Sequence, residues 1–471
     1  MDEFADRAPV VFFGKEIADV YRPVATRGSE PLLSICVPTY NRAPKLRSLL
    51  HSIVVQCAGL EQEVEIVVSD NASPDDTGGM VRRCSETFPI VYSRNRTNEG
   101  PLRNIQILAS TLAQGKFTWL IGDDDLVLPG GVRLVLEVLR TNPEVHFVFA
   151  NTLPRGADEY TAKMRDGIVH GEDFPTDGPR KGKYVGDRKL AAFDELVDPN
   201  VDEVFLGALM CGVSRTSAWR AYPREFSSLS GSWGGSFHTL EGSYPHAMVY
   251  AQTMVGKPAY YLGTPVSIAF WGAQEWLSGV PRLVLLRLQE LLALYEENGV
   301  AAKRIARCRA GLVENSRAAL ATMVLDSATP GFEEFSVNKY IRDNRVVAHE
   351  VFDQLDTIVG TARAKRISNR LVDEAEALVK VYPRIRLPQG VDGGVNPQAS
   401  SAFQQAMARF QTLLNQGKLS EALSYLHMAK KAAPDASSAA MVDQVFKMLA
   451  EKGLYGRPGG TPATGRVRPS R

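Results

Sequence analysis

The chain has 471 residues, of which 44% are hydrophobic and 23% charged, with 54 Lys and Arg against 53 Asp and Glu. That length corresponds to about two to four domains, and the composition is that of a globular protein rather than a fibrous or disordered one. A net charge of +1 argues against a general nucleic-acid binder, which carries a basic excess.

In chain order, Leu32–Val37 is a short apolar run ended by Pro38 and predicts a buried strand, with residues 1–30 left as an N-terminal extension. Leu46, Leu49, Leu50, Ile53 and Val54 recur at helical spacing after Pro44, a residue suited to a first turn. Val64–Val68 predicts a second strand, broken at Ser69-Asp70-Asn71, and residues 77–88 a helix that Asp76 can cap. Ile90–Tyr92 is a strand, 102–112 a helix, and Phe117–Ile121 a strand running into Gly122-Asp123-Asp124-Asp125. A helix over 130–139 and a strand over 145–149 complete the alternation. Strands alternating with helices over short connections predict an α/β domain with a doubly wound, mainly parallel sheet.

Residues 151–200 are weakly periodic and read as loops, and 204–220 as a strand, a turn and a helix start. From Val280 to about Leu387 the pattern is helical, which predicts an all-helical C-terminal region over 279–387. The Gly- and Pro-rich stretch 388–398 reads as a linker. A helical hairpin over 399–455 carries Gly417, Leu419, Ala422, Leu426, Ala429 and Pro434 at tetratricopeptide-like spacings, although an ordinary α-hairpin fits equally short evidence. The Arg-bearing tail 456–471 has the composition of a disordered segment. Cys36, Cys57, Cys84, Cys211 and Cys308 are odd in number and widely spaced, which suggests neither a disulfide framework nor a zinc ribbon. With no apolar leader near the start and no long apolar run, the expected location is the cytoplasm, or peripherally the inner face of a membrane.

In doubly wound sheets, ligands bind at the carboxyl ends of the strands near the switch point. Three polar clusters fall at such ends: Thr39-Tyr40-Asn41-Arg42, Ser69-Asp70-Asn71 and Asp123-Asp124-Asp125. Three successive carboxylates raise one another's pKa. A hard divalent cation that also binds phosphate would relieve them, while the plainer reading is an acidic turn before a helix. Asp70 and Asn71 can pair with a nucleobase edge or a ribose hydroxyl, or close an Asx turn on their own backbone.

Four blocks in this order are Ser34–Arg42, Glu65–Ser73, Asn98-Glu99-Gly100 with Arg103-Asn104, and Gly122–Asp125 with Pro129. Together they resemble the family 2 glycosyltransferases over about residues 31–150. The pattern is most similar to the abequosyltransferase-like branch, which acts on bacterial surface polysaccharides. The resemblance implies a GT-A fold over 31–278 and a metal-dependent, inverting transfer. The sugar would pass from a nucleotide-diphosphate donor to a hydroxyl of a glycan or lipid-linked acceptor, with Mn²⁺ or Mg²⁺ as cofactor. It further implies that Pro38, Thr39, Asn41 and Arg42 border the nucleotide and that Asp70 and Asn71 read the base. Arg103 would lie on the nucleotide side and Asp123 would face the ribose. Asp124 would ligate the metal with Asp125 beside it. The family's usual acidic pair before a late helix is missing from 233–246, which leaves Glu241 and His246 as candidate catalytic bases. His246 could instead ligate metal or support the helix start. Trp233, Trp271 and Trp276 flank this segment and read chiefly as core residues, with sugar stacking as the other option. A nucleotidylyltransferase would want a Gly-rich phosphate loop where Pro38–Arg42 stands. A non-catalytic glycan- or partner-binding scaffold, using the helical C-terminus to meet a protein or membrane, is the second alternative.

Overall fold

The computed structural model describes residues 6–23, 30–222, 237–272, 274, 276–381, 397–415, 419–433 and 436–451. The chain divides into two compact units, Met1–Leu312 and Val313–Arg471.

The first unit is built on one sheet of eleven strands: β1 (Asp6–Phe12), β2 (Lys15–Arg22), β3 (Leu33–Thr39), β4 (Val64–Asp70), β5 (Ile90–Asn95), β6 (Phe117–Leu120), β7 (Leu126–Val127), β8 (Phe147–Gly156), β9 (Arg188–Leu190), β10 (Gly212–Arg215) and β11 (Ala259–Trp271). Their order is β1-β2-β5-β4-β3-β6-β10-β8-β11-β7, with β9 also on β11. The strands β5, β4, β3 and β6 are parallel neighbours, β10 runs antiparallel between β6 and β8, and β11 is parallel to β8. Every residue of β4 is buried, as a parallel strand covered on both faces requires. From β3 the chain winds outward through β4 and β5 and then returns to the other side of β3 with β6. The switch point therefore lies between β3 and β6.

Helices α1 (Ala43–Cys57), α2 (Thr77–Ser85) and α4 (Gly131–Thr141) bury Leu46, Leu49, Ile53, Met80, Val81, Val132, Val135 and Leu136 against one face of the sheet. The other face is covered by the end of α3 (Pro101–Ile107), the turn that continues it to Leu112, and helix Pro245–Thr253. Short helices α5 (Ala157–Ala162) and α6 (Thr216–Ala221) follow β8 and β10. The cap of α2 comes from Asp75 rather than Asp76. The Asp75 carboxylate accepts from the Thr77 hydroxyl and amide and from the Ala43 amide at the start of α1, while Asp76 pairs with Arg83.

Two features depart from the sequence reading. Residues 6–22 form a β-hairpin that extends the sheet from β5. Its turn, Phe13-Gly14, has positive φ at both positions, 48° and 75°, as a tight two-residue hairpin requires. The charged outer face of this hairpin hides the alternation of Val10, Phe12, Ile17 and Val20, which are the residues it buries. In addition, the helical chain from Val280 to Leu312 belongs to the sheet unit. Leu283, Leu288, Leu291, Leu292, Tyr295, Ile305 and Leu312 join the same core as Phe147 and Tyr250.

The second unit holds helices Arg317–Leu325, Val337–Asp343, Ala348–Lys365 and Arg370–Val381, with Leu320, Met323, Leu355, Leu371 and Leu378 buried. It continues with Pro397–Asn415, Leu419–Lys431 and Ala436–Glu451. The third of these adds a helix to the expected hairpin, with the His427 and Phe446 rings 4.5 Å apart. Gly417, Pro434, the tail 456–471 and most of the 388–398 linker lie outside the described residues.

The end of the sheet opposite the polar clusters is tied by one buried carboxylate. Glu65 accepts from the Ser34 hydroxyl (2.5 Å), the Gln114 amide (2.5 Å) and the Gly115 amide (3.1 Å), and Arg22 lies 3.9 Å away. A Cβ at Gly115 would stand 2.7 Å from the Ser34 nitrogen, so glycine is required for this approach. Glu65→Ala removes the acceptor of the Ser34 hydroxyl and the Gln114 amide, while Gly115 keeps its bond to the Ser34 oxygen, and is expected to cost about 2–3 kcal/mol. The measurement is the urea midpoint at unchanged slope.

Candidate functional site

Three strand ends meet at the switch point. The Thr39 hydroxyl, at the end of β3, donates to Asp123 (2.8 Å), which follows β6. The Asn71 amide, just past β4, donates to the Thr39 carbonyl (2.9 Å). Arg42 leads into α1 and reaches both Asp123 (3.2 Å) and Asp124 (3.3 Å), with Lys45 3.9 Å from Asp124. Asn41 carries φ 55°, and its amide donates to the Ser73 hydroxyl. This left-handed residue turns the chain sharply after β3 and brings Arg42 back over the rim. Pro38 lies within β3, paired with Ser69 of β4.

The three aspartates have different environments. Asp123 is buried, and burial, then the neighbouring Asp124, push its carboxyl up to about 6, with Arg42 and Thr39 opposing. Asp125 is also buried, and burial followed by Asp124 hold its carboxyl well above the ordinary range. It accepts from the Gly122 amide (3.2 Å), and the Phe270 backbone of β11 lies beside it and lowers its proton affinity slightly. Asp124 is the open one, with 20% of its side chain exposed. Gly122, at the head of the aspartate cluster, has a physical reason. A Cβ there would stand 3.0 Å from Asp125 Oδ2 and 3.1 Å from Asp124 Oδ1, so glycine lets both carboxylates fold back over the turn.

The β4–β5 side of the rim is a closed network. Asp70 has no exposed surface, and it accepts from Arg94 (2.7 Å), the Tyr92 hydroxyl (2.6 Å) and the Ser73 amide (2.8 Å). Asn71 accepts from Asn95 and the Glu99 amide, and donates to Asn98, each at 2.8 Å. Asn104 ties to Ser69 at its hydroxyl (2.7 Å) and carbonyl (2.9 Å), and Arg103 pairs with Glu99 (2.7 Å). Asp70 and Asn71, the residues expected to read a base, make these contacts within the protein and so set the rim's shape. Arg94, whose side chain is 43% exposed, stands at the surface of this network.

His246, a candidate base, metal ligand or structural residue in the sequence, lies inside the protein. It is buried on helix Pro245–Thr253, its Nε2 is 3.0 Å from the Gly207 carbonyl, and the rings of Tyr244 and Tyr250 stand edge-on to it. Burial pushes its pKa down to about 4. A neutral imidazole inside the core, holding the 202–208 loop, is neither poised near the working pH nor open to a substrate. Of the three roles open in the sequence, the structural one fits. Glu241 is half-buried on the short helix Leu240–Ser243, which Thr239 caps by accepting from the Gly242 amide. Trp233 lies outside the described residues. Among the described residues no three His, Cys, Asp or Glu side chains converge as a ready metal cage. What the rim offers is a single open carboxylate, which matches a cation that completes its shell with water and substrate phosphates.

Sequence reasoning missed Lys45, Arg94 and Asn95, which reach the rim through helix or sheet packing.

A family model for "Glycosyl transferase family 2" matches residues 34–187, from the start of β3 to just before β9. Residues 34–187 are a family 2 glycosyl transferase domain. The abequosyltransferase RfbV of Salmonella typhimurium is 38% identical over 117 residues, 24% of this chain and 34% of that protein. The GalNAc(5)-diNAcBac-PP-undecaprenol beta-1,3-glucosyltransferase of Campylobacter jejuni is 33% identical over 125 residues, 26% of this chain and 38% of that protein. The chain thus spans about a third of the length of these relatives. Among solved structures, Staphylococcus aureus TarS 1–349 in complex with UDP aligns at TM-score 0.45 and 17% identity, over 77% of this chain and 95% of that one. The matched residues supply the strand ends at Thr39, Asn71 and Asp123, and the sheet they share with the hairpin, β10 and β11 is the doubly wound sheet that the sequence predicts.

Because the Asp123 carboxyl keeps its proton up to about 6 when folded and releases it at 3.8 when unfolded, it makes stability fall as pH rises through that window. Asp123→Asn is expected to remove this component. Urea unfolding of the two proteins should give a stability difference that changes between pH 3.8 and about 6 and is flat above.

Proposed function

We propose that the protein is a metal-dependent, inverting glycosyltransferase. It moves a sugar from a nucleotide-diphosphate donor to a hydroxyl of a glycan or lipid-linked acceptor in bacterial surface-polysaccharide synthesis. The observation that carries this reading is the single open carboxylate, Asp124, held between Arg42 and Lys45 at the switch point of a family 2 domain. The relatives' printed activities, an abequosyl transfer and a glucosyl transfer to a polyprenol-linked glycan, support the substrate class.

Asp124 would hold Mg²⁺ or Mn²⁺, which when bound neutralises charge on the departing diphosphate. Thr39 and Arg42 keep the Asp123 carboxylate aimed along the rim, where it can accept from a ribose hydroxyl. Arg42 and Lys45 are cations placed to meet phosphate oxygens once Asp124 engages its metal. Arg94 and the Asn71-braced loop at Asn98 bound the base side, with Arg103 behind them through Glu99. Asp125, tied to Gly122, keeps the turn rigid, so the donor is bound in one register and the entropy of alignment is met before reaction. The proton of the attacking hydroxyl goes to Glu241, the remaining candidate base.

Two variants test these roles. Asp124→Asn is expected to abolish release of free nucleotide from a panel of nucleotide-sugars with Mn²⁺ while its melting curve is unchanged. An active Asp124→Asn protein sinks the proposal, and pyrophosphate among the products points instead to nucleotidyl transfer. Glu241→Gln is expected to lower the transfer rate by about 10²–10⁴-fold, the usual contribution of a general base, with donor affinity unchanged by calorimetry.

A further inference from the structure

Trp271 is the last residue of β11 and remains 37% exposed, although the pattern around it reads as core. It follows Phe270, whose backbone lies beside Asp125, so the indole is near the aspartate turn. Its position is fixed. The Lys181 ammonium lies 5.7 Å from the ring centroid, and Trp276 stands edge-on at 6.2 Å. Lys181 is itself buried and anchored by Asp202 (3.2 Å) and Glu203 (3.0 Å). An exposed indole usually retains rotamer freedom that binding must remove, and here that freedom is already gone.

Trp271 lines a cleft of about 550 Å³ together with Pro175, Pro179, Arg155 and Glu159. That volume suits a small ligand. Its polar groups are also prearranged. Arg155 donates to the Pro154 carbonyl (3.1 Å) and the Pro175 carbonyl (3.0 Å), and its Nε is 3.9 Å from Glu159. A rigid aromatic floor, proline walls and a fixed guanidinium–carboxylate pair form the chemistry that takes a pyranose. Its C–H face packs on the ring and its hydroxyls meet the charged pair.

The location decides which sugar. The nucleotide rim lies at the ends of β3, β4 and β6, whereas this cleft is at the ends of β8 and β11, beyond β10 in the sheet order. The geometry points to this cleft as the subsite for a pyranose ring of the acceptor glycan, with Trp271 as its stacking floor. The inference deepens the glycosyltransferase reading and rests on it.

The test uses the full chain and separates the two readings. Saturation-transfer NMR with a panel of free bacterial-type mono- and disaccharides selects binders, which are then titrated calorimetrically into the wild type, Trp271→Ala, Trp271→Phe, Glu159→Gln and Asp124→Asn. At least one saccharide is expected to bind the wild type and Asp124→Asn alike. Trp271→Ala should weaken it about tenfold or more, Trp271→Phe should restore most of the affinity, and Glu159→Gln should alter the preference among saccharides. Binding of nucleoside diphosphates with Mn²⁺ should be the same in wild type and Trp271→Ala. Saccharide affinity unaffected by Trp271→Ala, or no saccharide bound by the wild type, overturns the subsite. Loss of nucleotide binding in Trp271→Ala and Trp271→Phe alike also overturns it, since the cleft would then serve the donor. Failure of the glycosyltransferase reading shows separately, as nucleotide release that survives Asp124→Asn.

Discussion

A hydroxyl donating to a buried carboxylate across the gap between two strands holds this site together. Thr39 ends one run of the winding and Asp123 begins the other, so their 2.8 Å contact closes the crevice where the sheet reverses direction. A carboxylate buried there without partners would be costly. Thr39 and Arg42 meet that demand, and in doing so they fix where its neighbour Asp124 emerges. The burial that raises Asp123's proton affinity also keeps Asp124 the only member of the trio facing outward.

Two residues of the rim have local explanations. Glycine at 122 makes room for two side chains that fold back over the turn. Asparagine at 71 both donates and accepts. A carboxylate could take the protons of Asn95 and Glu99 but could give none to Asn98, and the loop that follows β5 would lose one of its three ties. The residue at this place therefore shapes the rim through the loop it binds.

Much of this was legible in the sequence because parallel strands buried on both faces leave near-continuous apolar runs, and β3, β4 and β6 each end in a polar cluster. The order of those runs gave the winding, and the winding gave the rim. The hairpin before β3 was hidden because an edge strand carries charge on its open face, so Arg7, Lys15 and Glu16 masked the alternation beneath them. The environments of His246 and Trp271 were beyond reach for a related reason. The sequence left the histidine open between base, metal ligand and structural residue, and read the tryptophan chiefly as core. Only the packing of helix Pro245–Thr253 against Gly207, and the end of β11 against Lys181, shows where each stands.

The hairpin has a consequence for the edge of the sheet. Without it, β5 would be the last strand of the sheet, presenting a row of bare amides and carbonyls to solvent. With it, the outermost strand β1 bears Asp6, Arg7 and Pro9, residues that discourage another chain from adding on. Loss of the hairpin would bare the edge of β5, the kind of strand on which another copy of a chain can pair, together with the core residues that Val10, Phe12, Ile17 and Val20 now cover.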